Sequence, residues 1–134
     1  MSGLRLVSLV FKAGAISNWL AAAPAFFAYD KMVDMMGMSE APNYPFLVSI
    51  WAWMGVIWGV VCWEIGRDPV GKRWMIKYIY LEKGAVALTV FTAYARGEVP
   101  LSVPLFSLTT DVLWIALIAA VHWKIVIPMT SNAR

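Results

Sequence analysis

The chain has 134 residues, of which 61% are hydrophobic, 14% aromatic and 14% charged, with a formal net charge of +3 and a mean hydropathy of +0.69. A soluble domain would carry nearer ~25% charged residues, so the composition excludes one and assigns the chain to lipid. Each spanning helix takes ~20 residues, which leaves room for at most four spans, short loops and no separate soluble domain.

Four apolar stretches follow one another, and they predict an all-α integral membrane protein: one domain over 1–134 with four transmembrane helices in an antiparallel bundle. The first span runs over 6–29. Arg5 and Lys12 ahead of an apolar run with Ala21-Ala22-Ala23 and Ala23-Pro24-Ala25 give it the outline of a signal peptide, but it is read as a retained span. Pro24 should kink it or loosen its last turn, because proline removes one helical hydrogen bond.

Beyond it, Tyr29, Met32, Val33 and Met36 fall at helical spacing, while Asp30, Lys31 and Asp34 point the other way. The segment 29–38 therefore reads either as a short amphipathic helix on the interface or as the frayed end of span one. Ala41-Pro42-Asn43-Tyr44-Pro45 leads into the second span, 45–65, and Gly66-Arg67-Asp68-Pro69-Val70-Gly71 ends it. The third span covers 74–94 and is followed by Arg96-Gly97-Glu98-Val99-Pro100; the fourth covers 104–127 and is closed by Pro128.

Eight of the eleven basic residues lie at the N-terminus and base of span one (Arg5, Lys12), in or beside the 66–77 loop (Arg67, Lys72, Arg73, Lys77) or at the C-terminus (Lys124, Arg134). By the positive-inside rule both termini and that loop are cytoplasmic, which predicts a multi-pass protein of the cell inner membrane. The basic residues flank spans and form no extended patch, so nucleic acid is not an expected partner. The expected partners are the bilayer and other integral membrane subunits.

Small residues mark packing faces: Gly55 and Gly59 form a GxxxG in span two, and Gly14, Ser17, Ala21 and Ala25 form a stripe on span one. They serve either intramolecular packing or contact with a partner. Trp63, Trp74, Tyr78 and Trp123 at one level and Tyr29, Tyr44 and Tyr94 at the other fit interfacial belts. Trp19, Trp51, Trp53, Trp58 and Trp114 lie deeper, where they either fill the bundle or face a partner, pigment or bulky lipid.

The charged residues inside the spans are the main candidates for function. An ion near the bilayer midplane costs at least ~2.5–3.5 kcal/mol, so each needs a partner or a task. Antiparallel spans bring Lys83 within reach of Asp111; Glu82, about 100° around the helix from Lys83, points at another neighbour, for which Lys12 is the candidate. Asn18 adds a hydrogen bond to this intramembrane network of Lys12, Asn18, Glu82, Lys83 and Asp111. Such pairs either staple the bundle or line a polar pocket for a proton relay, a quinone or a substrate headgroup.

Redox and metal signals are sparse. One cysteine, Cys62, allows no intramolecular disulfide. One histidine, His122, can supply at most one axial ligand to a haem or chlorophyll-type pigment, with a partner providing the rest. No metal-ligand cluster, nucleophile elbow, phosphate loop or dinucleotide fingerprint is present.

Across nearly the whole chain, the sequence resembles a family of small four-helix bacterial membrane proteins related to the DoxX-like group. The resemblance rests on Asn18-Trp19 with Pro24, Met36-Gly37, Pro42-Asn43-Tyr44-Pro45, Gly55 and Gly59, Arg67-Asp68-Pro69, Lys83, Gly97-Glu98-Val99-Pro100, and Asp111 with Trp114. The family has no settled activity, while the wider group includes subunits linked to quinone-dependent sulfur oxidation and membrane redox maturation. Some relatives carry an alkyl hydroperoxide reductase label, which Cys62 in an apolar helix end contradicts, because a peroxidatic thiol needs an exposed, activated site. Glu82 stands beside the motif lysine, where the resemblance implies an apolar residue.

Three functions follow as expectations. The first is a non-catalytic accessory subunit of a larger energy-transducing (respiratory or photosynthetic) membrane complex, suggested by small loops and many deep tryptophans. The second is a DoxX-like redox or quinone-handling protein with a polar pocket at Glu82, Lys83 and Asp111. The third is a subunit that contacts haem or pigment through His122.

Overall fold

The structure, a computed structural model, describes residues 3–38 and 45–127. It holds helices α1 (Gly3–Phe27), α2 (Tyr29–Met35), α3 (Pro45–Arg67), α4 (Ile76–Ala95) and α5 (Ser102–Val126), with a 3-10 turn at Arg73–Met75 ahead of α4. No strand occurs among the described residues. The Asn43-Tyr44 pair, Pro128 and Arg134 lie outside them.

Three helices are long and apolar enough to cross a membrane: Gly3–Phe27, Phe46–Arg67 and Ser102–Val126. The described residues are therefore helical, with three candidate membrane spans. The 20-residue α4 is interrupted by Glu82 and Lys83 and does not reach the same apolarity. Pro24 sits inside α1, near its end at Phe27.

Of the two readings for 29–38, a separate helix is the observed one. Ala28 leaves helical geometry at φ −150° and ψ 44°, which divides α1 from α2. Gly37, at φ +65°, then closes α2: Met38 N–H donates to the Val33 carbonyl at 3.2 Å and Gly37 N–H to that of Asp34 at 2.9 Å. The same Schellman cap ends α4, with Gly97 at φ +72° and Glu98 N–H bonded to the Ala93 carbonyl at 3.0 Å. The glycines of the Met-Gly and Gly-Glu-Val-Pro elements are thus helix stops. In the Arg67-Asp68-Pro69 element, the Asp68 carboxylate accepts from Gly71 N–H at 2.9 Å and fixes the turn towards α4.

α1 and α3 share the most extensive contact in the molecule, and α4 lies against α5, while α3 and α4 touch sparingly. The glycines of α3 explain the close pairing with α1. Gly59 lies under the Trp19 indole and Gly55 against Ala22, and further along Gly66 meets the Ser8 carbonyl. Trp19 Nε1 then donates to the Val56 carbonyl at 3.2 Å. Gly14 accommodates Trp114 of α5, whose Nε1 donates to Ser17 Oγ at 3.2 Å. The small residues of α1 and α3 thus meet neighbours within the chain.

The core is uneven along the bundle axis. At the end away from α2 it is built from large side chains, Phe11, Ile65, Ile76, Ile79 and Ile118 among them. Towards α2 it thins to Ala22, Ala25 and Ala52. Alanines cannot fill the space that isoleucines fill, so the bundle opens there.

Candidate functional site

A cavity of about 490 Å³ occupies this open half, between the α1–α3 pair and the α4–α5 pair. Its walls are apolar and rich in methionine and tryptophan: Met32 of α2 and Met36 just past its end, Trp51, Met54 and Trp58 from α3, and Val90 from α4. Its floor is polar, formed by Asn18, Glu82, Lys83, Ser107, Thr110 and Asp111. Lys83 is 4% exposed, Asp111 5% and Asn18 9%.

The floor is organised around one ammonium group. Lys83 Nζ donates to Asp111 Oδ1 at 3.1 Å and to Asn18 Oδ1 at 3.1 Å, so α1, α4 and α5 meet at one cation. The Asp111 carboxylate also accepts from Ser107 Oγ at 2.8 Å. The Thr110 hydroxyl reaches both Asp111 Oδ2, at 3.1 Å, and the Phe106 carbonyl, at 3.0 Å. Asp111 lies in a π-turn, Leu108–Val112, and a second π-turn covers His122–Val126. A π-turn admits one extra residue into the helix and is frequent at functional sites.

Glu82 is held differently. Its Oε2 lies 3.7 Å from Lys83 Nζ, within ion-pair range but beyond a hydrogen bond. Glu82 Oε2 and Asn18 Nδ2 are both buried and without a hydrogen-bond partner among the described residues.

The expected pairing of Glu82 with Lys12 is corrected by the structure. Lys12 Nζ sits 5.5 Å from the centroid of the Trp63 ring, and its stem packs on Gly66 of α3. Lys83 is level with Asn18, and Lys12 is six residues, or roughly 9 Å, further along α1, too far towards the opposite end to meet Glu82.

The other candidates lie apart from the floor. Cys62 is buried in the apolar core, where no peroxidatic chemistry can reach it. His122 Nδ1 is 3.2 Å from the Tyr80 hydroxyl, and the two rings lie 5.9 Å apart and tilted. At the end of α3, Glu64 pairs with Arg67 at 3.0 Å and with Lys72. Among the deep tryptophans, Trp51 and Trp58 line the cavity, Trp19 and Trp114 bridge helices, and Trp53 remains 59% exposed.

Sequence reasoning missed Ser107, Thr110 and the methionine walls. The spacing of Ser107 four residues before Asp111 was the available signal for the first, since i and i+4 share a helix face. No sequence signal marks a cavity, which arises here from what the alanines leave unfilled. Among the described residues no group of three or more His, Cys, Asp or Glu is placed to hold a metal ion. Comparison with protein-family models, with curated proteins and with solved structures finds no match.

Proposed function

We propose that this is a four-span inner-membrane protein of DoxX-like kind, with both termini and the 66–77 loop cytoplasmic, that binds a lipid-soluble ligand of the quinone type. The observation that carries the reading is the cavity of about 490 Å³ with apolar walls and the Lys83–Asp111–Asn18 floor. Ligand pockets commonly combine this volume, an apolar lining and a few convergent polar groups. The sparse contact between α3 and α4 supports lateral entry of a hydrophobic ligand from the bilayer. The third span, α4, is tolerated in lipid because Asp111 compensates Lys83.

Trp51 and Trp58 stand in the cavity wall and supply the test. Titration of the purified protein with a short-chain ubiquinone analogue should quench tryptophan fluorescence saturably, and Val90→Trp, which fills the cavity, should abolish saturation. Quenching that rises linearly in both proteins would refute the proposal.

A second reading, an accessory subunit packed against other integral membrane subunits, draws on one outer face of α3. Ile50, Trp53, Ile57 and Val60 recur there at spacings of three and four, all 49% exposed or more. A monodisperse species purified in mild detergent with nothing co-migrating would count against it. A haem or pigment contact through His122 has less support, since Nδ1 already faces Tyr80 and axial ligation would fall to Nε2; Soret or Q bands in the native complex would be its signature.

A further inference from the structure

Two residues of the cavity floor each hold a buried atom without a hydrogen-bond partner among the described residues, Asn18 Nδ2 and Glu82 Oε2. Lysine has only donors, so Asn18 must turn Oδ1 towards Lys83, which leaves its Nδ2 protons facing elsewhere. Nδ2 is a donor in need of an acceptor. Glu82 Oε2 lies too far from Lys83 to accept from it and is an acceptor in need of a donor. Both residues line the cavity, beside a lysine whose charge Asp111 already meets.

We propose that the floor selects an uncharged headgroup that offers both a hydrogen-bond acceptor, for Asn18 Nδ2, and a hydroxyl donor, for Glu82 Oε2. The inference rests on the lipophile-binding reading above and adds the chemical class of the ligand. An anionic headgroup meets two carboxylates, Glu82 and Asp111, against the single ammonium of Lys83. A quaternary or primary amine brings no acceptor to Asn18 and sits against Lys83. An oxidised quinone has acceptors alone and leaves Glu82 Oε2 unsatisfied, whereas a quinol supplies both partners. A monoacylglycerol supplies the same pair, so the hydroxyl-bearing headgroup comes either from a quinol or from a neutral glyceride.

Three probes with one dibromooctadecyl tail and different heads, a monoglyceride, a free acid and an amine, separate these chemistries, because bromine quenches the Trp51 and Trp58 of the wall. Decylubiquinol and decylubiquinone, measured by competition, form the second arm. The monoglyceride or the quinol, or both, should bind at least about tenfold more tightly than the acid, the amine and the quinone, as expected of one charge-assisted hydrogen bond; the member that binds identifies the source. Glu82→Met, which removes the acceptor and one of the two carboxylates, should bring the heads within about twofold of one another while tail binding persists; Asn18→Asp, which keeps an acceptor for Lys83 but removes the donor and adds a carboxylate, should abolish the preference for the hydroxyl heads over the amine. Equal affinity for all heads in the unaltered protein, or preference for the acid or the amine, overturns this inference and leaves the lipophile-binding reading standing. Absence of saturable quenching by every probe overturns both.

Discussion

Gly59 is where the structure makes its sharpest mechanical claim. A Cβ placed there would overlap the Trp19 indole, coming within 2.9 Å of Cε2 and closer still to Nε1. The indole cannot move aside without losing its 3.2 Å bond to the Val56 carbonyl, worth about 1 kcal/mol. Overpacking a tight contact adds ~1–3 kcal/mol. Gly84 of α4 provides the matched control, since a Cβ there meets nothing within 4 Å. Glycine-to-alanine exchange gains the same ~0.5–1 kcal/mol of helix propensity at both sites, so that contribution cancels in the comparison. Gly59→Ala should therefore be less stable than Gly84→Ala by about 2–4 kcal/mol in reversible unfolding by sodium dodecyl sulfate from mixed micelles. Equal stabilities would refute the packing of Trp19 into the α1–α3 seam.

Other perturbations test the rest of the bundle. Lys83→Met strands the Asp111 carboxylate and should cost ~3–5 kcal/mol in the same unfolding assay, whereas the double variant Lys83→Met, Asp111→Leu should recover most of that loss. A double variant as unstable as the single one would contradict the pairing. Because Lys12 faces Trp63, the effects of Lys12→Met and Glu82→Gln should add within about 0.5 kcal/mol, and a larger coupling would reinstate the ion pair that the structure rejects. Ser102 Oγ donates to the Met36 carbonyl at the end of α2; Ser102→Ala should raise amide hydrogen exchange across 29–38 roughly tenfold. Unchanged exchange would mean that this bond does not hold α2 over the cavity.

The axial plan of the molecule was readable because it depends on periodicity and apolar length, which are local properties of the chain. α1, α3 and α5 follow the apolar stretches, and the turn residues at Gly37, Gly97 and Asp68 stand where their special geometry is used. The partnership of Lys83 with Asp111 was accessible through depth alone, since both lie near the middle of adjacent antiparallel helices. Depth failed for Lys12 because estimating it from span ends carries an error of a turn or more, and a turn decides whether Glu82 or Trp63 is opposite. The π-turn that carries Asp111 had no signature in the residue pattern. Nor did the cavity, a property of five helices at once rather than of any segment.

The three-helix junction at Lys83 also bears on how the chain comes to be in the membrane. On the four-span reading, α4 emerges from synthesis with Glu82 and Lys83 while Asp111 still lies some 28 residues downstream. Of the partners, only Asn18 precedes it, and that residue neutralises no charge. The third span is thus committed to lipid late, its residence depending on a segment made after it. Truncation ahead of α5 should leave α4 exposed to labelling reagents on the aqueous side, while α1 and α3 stay protected. The same ammonium that orders the floor of the cavity therefore makes insertion of the second helical pair a joint event.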